Sequence, residues 1–226
     1  MSAQILRTAD ELHYVPNILA RTIKTNRTMT IGLVLPNILS PVWATIARGV
    51  ADVARSSGFS TIMYDTDEQC DVMQAALRNL QERRVDGILL APCGEPRSAE
   101  LTRFVTEANM LMVLLDREIA ELSLDTVISD SVSGALQAAK HLLESVRQRI
   151  GLVNLPLAPS TGRDRLEGYR QALQAYGRPA EESLIAVGGR GADDGYRQAD
   201  QLLSLPASRR TDALVVASHL MTLGAL

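Results

Sequence analysis

The strongest constraint on this chain is its alternation of strand-length apolar runs with amphipathic helical patterns. The runs fall at 31–35, 61–64, 87–91, 111–115, 150–153 and 214–217, with weaker candidates at 126–128 and 184–187. Most are apolar at consecutive positions rather than at every second one, as expected when helices cover both faces of a parallel sheet. Between them, Trp43, Ile46, Ala47, Val50, Val53 and Ala54 recur at helical spacing. So do Met73, Ala76, Leu77 and Leu80, then Leu101, Phe104, Val105 and Ala108. Further patterns run over 136–143 and over 166–176, the latter stopped by Gly177, and around Tyr196, Ala199, Leu202 and Leu203. Ser40 is placed to cap the first helix, with Pro41 at its first position and Gly58 at its exit. Strand–helix alternation of this kind predicts right-handed βαβ units and doubly wound sheets. The segment 123–133 puts a short strand directly before a new helix, which suits a crossing from one sheet to another. The expected fold is α/β, with two doubly wound parallel-sheet subdomains, 29–128 and 129–226, and a cleft between them.

At 226 residues the chain can bury a substantial core, and with aromatics at only 4% that core must rest on Leu, Val, Ile, Ala and Met. No apolar stretch approaches the ~18 residues of a membrane span. The first ten residues hold no apolar run of the secretory type, so a cytoplasmic location is expected. Cys70 and Cys93 lack metal-ligand spacing and read as buried, reduced thiols. Net charge is −3, yet residues 1–28 carry +2 and the rest −5. A small basic head on an acidic body suits a local phosphate contact better than general coating of nucleic acid.

Catalytic patterns are missing. The chain has no G-x-S-x-G elbow, phosphate loop or H-E-x-x-H pair, and His13, His141 and His219 stand apart from one another. Gly188-Gly189-Arg190-Gly191 fails the dinucleotide-binding spacing and reads as a turn. A non-enzymatic protein without cofactor or metal is expected.

Ahead of the first strand, Ile5, Leu6, Ala9 and Leu12 share one helical face, and Pro16 opens a second short helix running to Lys24. Such a helix is marginal alone, because isolated helices need roughly 12–15 residues. Leu19 and Ile23 form an apolar ridge flanked by Arg21 and Lys24. A basic-flanked wedge of this kind suits minor-groove insertion; the alternative is that the ridge packs on the body of the protein.

Tyr14-Val15-Pro16-Asn17, Ala20-Arg21-Thr22-Ile23-Lys24 and Thr30-Ile31-Gly32-Leu33-Val34 closely resemble the hinge and first strand of the lactose-repressor (LacI/GalR) family of bacterial transcription regulators. Arg84-Val85-Asp86-Gly87-Ile88-Leu89-Leu90, Arg165-Leu166-Glu167-Gly168-Tyr169 and Leu220-Met221-Thr222-Leu223-Gly224-Ala225-Leu226 are similar to later family motifs, in consistent order. The resemblance implies a DNA-binding regulator, a repressor in type, controlled by a small effector such as a sugar or related metabolite. It implies a homodimer with the outer helix at 43–57 on the dimer surface. It assigns residues 1–14 to the third helix of a helix-turn-helix headpiece, and 15–28 to a helical hinge. Asn17, Leu19, Ala20, Arg21, Ile23 and Lys24 would there touch operator DNA. Measured against the family the chain looks shortened at both ends, and Ile23 stands where members carry Leu.

In open α/β sheets ligands bind beyond the carboxyl ends of the strands. That rule points to Val42 and Trp43 after the first strand, Asp116 after the fourth, and Ser160, Thr161, Arg163 and Arg165 after 150–153. Arg190 follows next, with Ser218 and His219 last. The effector set so chosen is Val42, Trp43, Asp116, Thr161, Arg165, Arg190, Ser218 and His219. Arg165, read as lying in the first turn of its helix, would oppose the macrodipole and invite an acidic or hydroxyl-rich ligand; a local pair with Asp164 or Glu167 is the alternative. Asp116 can equally be a turn residue, and Trp43 equally core. By the resemblance, Arg165 and Asp116 match effector-contacting positions, while Arg190 and His219 replace an aromatic residue and an Asp, leaving the effector open. A periplasmic-type small-molecule binding protein with no DNA role is the alternative function.

Overall fold

A computed structural model describes residues 27–93, 101, 103–105, 110–119, 122–145 and 148–226, together with Arg7 and Glu11. The hinge residues Asn17, Leu19, Ala20, Arg21, Ile23 and Lys24 lie outside the described residues. Arg7 and Glu11 are helical, and the Arg7 Nε lies 3.7 Å from the Glu11 carboxylate.

Among the described residues, eight strands and six α-helices follow in the order β1 (Thr30–Leu35), α1 (Pro41–Ser56), β2 (Ser60–Asp65), α2 (Cys70–Glu82), β3 (Gly87–Leu90), β4 (Met112–Leu115), β5 (Asp125–Val127), α3 (Ser131–Glu144), β6 (Ile150–Asn154), α4 (Ser160–Ala175), β7 (Ile185–Val187), α5 (Ala192–Leu203), β8 (Ala213–Val216) and α6 (His219–Ala225). Leu101 and residues 103–105 are also helical. Two parallel sheets result, one with strand order β2-β1-β3-β4-β5 and the other β7-β6-β8. β5 pairs with β4 in the first sheet, and α3, just four residues on, packs its Ala139 and Leu143 on the second. Both weaker strand candidates form, as three-residue strands at sheet edges.

Each sheet is covered on both faces, which is why its strands read as unbroken apolar runs. In β1, Val34 packs with Met73, Leu77 and Leu80 of α2, while Leu33 and Leu35 point the other way onto Trp43 of α1. In β6, Ile150 and Leu152 meet Tyr169 and Leu173 of α4, and Val153 meets Ala199 and Leu202 of α5. Each fully buried Leu or Ile of this kind contributes roughly 1.5–3 kcal/mol by transfer from water. Leu33, Leu35, Leu80, Leu90, Ile150 and Leu152 therefore dominate the cohesion of both bodies.

Four local expectations change. Ser40 occupies the N-cap position of α1, but its side chain makes no capping bond. Arg165 falls in the second turn of α4, because that helix begins at Ser160; the dipole argument, which holds only within the first turn, does not apply to it. Tyr196 and Leu203 are exposed: the buried face of α5 centres on Gly195, Ala199 and Leu202, and a residue one step further along is rotated by about 100° onto its flank. Most importantly, Cys70 and Cys93 are not free thiols but a disulfide, with Cα atoms 5.4 Å apart. The cysteines lie 23 residues apart in sequence, one starting α2 and the other just past β3. Both segments emerge at the same end of the first sheet, so a contact that spacing alone cannot show is made by topology.

Candidate ligand-binding cleft

The carboxyl ends of both sheets face a common cleft of about 200 Å³, open to solvent. Val42, Trp43, Asp116, Thr161, Arg165, Arg190, Ser218 and His219 all line it. Each arrives by the same route, from the loop or first helical turns that follow a strand. β1 delivers Val42 and Trp43, β4 Asp116, β6 Thr161 and Arg165, β7 Arg190, and β8 Ser218 and His219. Arg163 does not join them; it turns out to solvent, its Nη1 donating to the Leu157 and Ala158 carbonyls at 2.9 and 2.6 Å. Ser160 serves instead as a bridge between the sheets, its Oγ accepting from the Glu118 backbone N–H at 3.1 Å.

Arg165 Nη1 donates to the Ala217 carbonyl at 2.7 Å, rather than to Asp164 or Glu167. Burial pulls its pKa below the usual arginine range, partly opposed by the Asp116 charge. Arg165 also lines the cleft. Burial also raises the Asp164 carboxyl above its ordinary value. Asp116 sits at φ 64°, a left-handed conformation that Asp tolerates better than most residues, and its N–H donates to the Val127 carbonyl at 2.7 Å. Trp43 satisfies both readings at once: 93% of its surface is covered, packed on Leu33, Leu35, Ala91 and Leu115, yet it lines the cavity. The Ser218 hydroxyl accepts from the Met221 N–H at 3.2 Å, capping α6.

Arg190 is aimed by its own loop. Gly188 and Gly189 take φ 123° and 71°, values that side chains resist, and Asp194 accepts from the Arg190 and Gly191 N–H groups at 2.8 and 3.0 Å. Those two bonds, Gly191's first, hold the Asp194 carboxyl below the ordinary carboxylate range. Arg190 Nε then reaches Glu68 across the cleft at 3.2 Å.

Glu68 and Arg117 escaped the sequence argument. Arg117 is 6% exposed, and its two Nη atoms grip the Glu68 carboxylate at 2.6 and 2.8 Å while Nη1 also donates to the Pro92 carbonyl at 2.8 Å. Bidentate charge-assisted pairing of this kind is among the stronger protein hydrogen bonds. The rule that found Asp116 would have found both residues, because Glu68 follows β2 and Arg117 follows Asp116. Among the described residues no cluster of three or more His, Cys, Asp or Glu side chains is placed to hold a metal ion.

The family described as periplasmic binding proteins and sugar binding domain of LacI family matches residues 28–226. The chain belongs to this family. It is 31% identical over 170 residues to the HTH-type transcriptional repressor PurR of Aliivibrio salmonicida, covering 75% of this chain and 51% of that protein. It is 30% identical over 171 residues to the ribose operon repressor of Haemophilus influenzae, covering 75% and 50%. Among solved structures, the Cra transcriptional dual regulator of Pseudomonas putida, in complex with fructose 1-phosphate, superposes with a TM-score of 0.79 at 26% identity over 87% of this chain and 72% of that one. The chain thus spans about half the length of these curated repressors, the part that forms the effector-binding domain of LacI-family regulators. The relatives are transcription regulators rather than enzymes. The two parallel sheets are the architecture shared with the superposed regulator. In this chain Glu68, Arg117 and Arg190 are among the side chains that line the cleft between them.

Proposed function

We propose that the chain senses a small, hydroxyl-bearing metabolite for a LacI-type transcription regulator, with the ligand held between the two sheets. The observation carrying this reading is the convergence of Val42, Trp43, Asp116, Thr161, Arg165, Arg190, Ser218 and His219 on one cleft. Trp43 offers an apolar plate for a sugar or ring face, Asp116 an acceptor for hydroxyl groups, and Arg165 a fork of donors. Ligand bound by both subdomains favours the closed arrangement, and its free energy reaches DNA only through its differential affinity for closed and open states. Residues 15–28 form the segment through which that change meets operator DNA, by way of Asn17, Leu19, Ala20, Arg21, Ile23 and Lys24. Two copies join through α1, which exposes Val53.

A thermal-shift screen of ribose, fructose 1-phosphate and related sugars and sugar acids tests the cleft. A stabilising ligand in the wild type that loses its shift in Arg165→Ala supports the assignment; a shift unchanged by that substitution removes it. DNA binding is tested by fluorescence anisotropy on operator-length DNA, comparing the whole chain with one lacking residues 1–28. Equal, salt-independent affinities would eliminate the hinge's role.

The disulfide favours a second reading, a periplasmic-type binding protein without DNA contacts, since persistent disulfides belong to oxidising compartments. Salt-sensitive DNA binding that depends on residues 1–28 decides against it.

A further inference from the structure

Resting on the reading of the cleft as an effector site, we propose that the Cys70–Cys93 disulfide is a redox latch: its reduction lets the cleft open and weakens ligand capture. The argument starts from where the bridge sits. Cys70 lies two residues after Glu68, and Cys93 directly follows Pro92. The described acceptors of the Arg117 guanidinium are the Glu68 carboxylate and the Pro92 carbonyl, so the disulfide ties together the two loops that cradle this cation. Glu68 in turn reaches the second subdomain through Arg190 at 3.2 Å, beside the Glu118–Ser160 bridge. The covalent bridge, the buried ion pair and the cross-cleft contact form one chain of touching groups.

The Glu68 loop depends on its anchors. Asp67 and Glu68 both hold left-handed backbone, φ 46° and 60°, which costs free energy in residues with a Cβ. Backbone bonds hold the segment: the Thr66 N–H donates to the Leu35 carbonyl, the Glu68 N–H to the Pro36 carbonyl and the Gln69 N–H to the Thr66 carbonyl, each at 2.9 Å. The disulfide adds a covalent tie directly after them, at the first residue of α2. Cut it, and the loop can relax from the left-handed region, water reaches the Glu68–Arg117 pair, and Glu68 withdraws from Arg190.

The chemistry needs an external dithiol as two-electron donor. Its thiolate attacks the sulfur of Cys70, the less buried of the two residues; the S–S bond breaks and Cys93 leaves as a thiolate. The donor's second sulfur then displaces Cys70, the donor departs as its own disulfide, and two protons complete both thiols. In the reducing compartment where a DNA-bound regulator works, a disulfide of this kind forms and breaks with the redox state rather than persisting.

Trp43 is the sole tryptophan of the chain and lines the same cleft, so it reports opening without any ligand. The experiment measures acrylamide quenching of its fluorescence in the whole chain, oxidised and then reduced with dithiothreitol, with far-UV circular dichroism as a check on folding. The expected result is a rise in quenching of about twofold or more on reduction, reversed on reoxidation, with helicity unchanged. Cys70→Ser should show the raised value in both conditions. Glu68→Gln should show it already when oxidised and gain nothing on reduction. Equal quenching in the two redox states overturns the proposal, as does loss of helicity on reduction, which would make the bridge a general staple. A reduction response that survives in Glu68→Gln also overturns it. Ribose and fructose 1-phosphate titrations separate the two claims. Equal affinity in both redox states sinks the latch and leaves the effector reading standing, whereas weaker binding of either sugar on reduction, alongside the raised quenching, supports both.

Discussion

Tyr169 shows how much one side chain can fix. It is wholly buried beneath β6, and its hydroxyl donates to the Ile150 carbonyl at 2.7 Å. Burial, reinforced by the Glu181 and Glu182 charges, pushes its pKa up to about 12 from an ordinary 10.0. The folded state therefore favours the protonated phenol. That contribution is complete below pH 10 and is lost as pH rises toward 12, amounting to roughly 2–3 kcal/mol at one pKa unit per 1.4 kcal/mol. Urea unfolding of the wild type should weaken across this window, and Tyr169→Phe should flatten that loss while costing about 1–2 kcal/mol at neutral pH. Asp194 acts with the opposite sign. Its lowered pKa adds stability above the ordinary carboxylate value, which disappears as pH falls through the depressed one. Asp194→Ala should cost about 1 kcal/mol at pH 7, and the difference from wild type should shrink as pH falls below the ordinary carboxylate range. Arg165 and Asp116 were legible in the sequence because a residue after a strand of known direction has only one place to go. The contact between Glu68 and Arg117 was not, although each follows a strand, since sequence separation hides which loops become neighbours.

Helix packing sets the next level. α3 and α4 cross closely at Gly168, where an added Cβ would fall 2.1 Å from the Val132 carbonyl oxygen and 2.9 Å from the Leu136 nitrogen. Gly168→Ala should therefore force the helices apart, costing about 1–3 kcal/mol in chemical denaturation. It should leave the first sheet's core around Leu80 and Leu90 intact, which amide hydrogen exchange would read separately for each body. Every strand among the described residues was visible as an apolar run, because doubly covered strands cannot hide among polar residues. The helical face of α5 was misread at Tyr196 and Leu203, whose apolar character says nothing about a rotation of one residue. The disulfide was misread for a different reason: two cysteines 23 residues apart carry no signal until β3 is known to lie beside β1.

At the scale of the whole molecule, a buried ion pair joins the loops of one sheet and a thinner contact reaches the other. Removing one member of a buried pair leaves an uncompensated charge, typically at a cost of about 3–5 kcal/mol. Glu68→Gln should approach that cost in thermal unfolding, and small-angle scattering should give it a larger radius of gyration than the wild type if Glu68 and Arg190 restrain the two bodies. Arg190→Ala should expand the molecule with far less loss of stability, because its side chain is 36% exposed. The parallel sense of both sheets carries one more consequence. Each of the six α-helices follows the carboxyl end of a strand, so each starts on the cleft side with its amide hydrogens unpaired by its own backbone. Their partial positive ends add to a field that rewards electron-rich oxygen, and an aliphatic guest, however well it fitted, would forgo that reward.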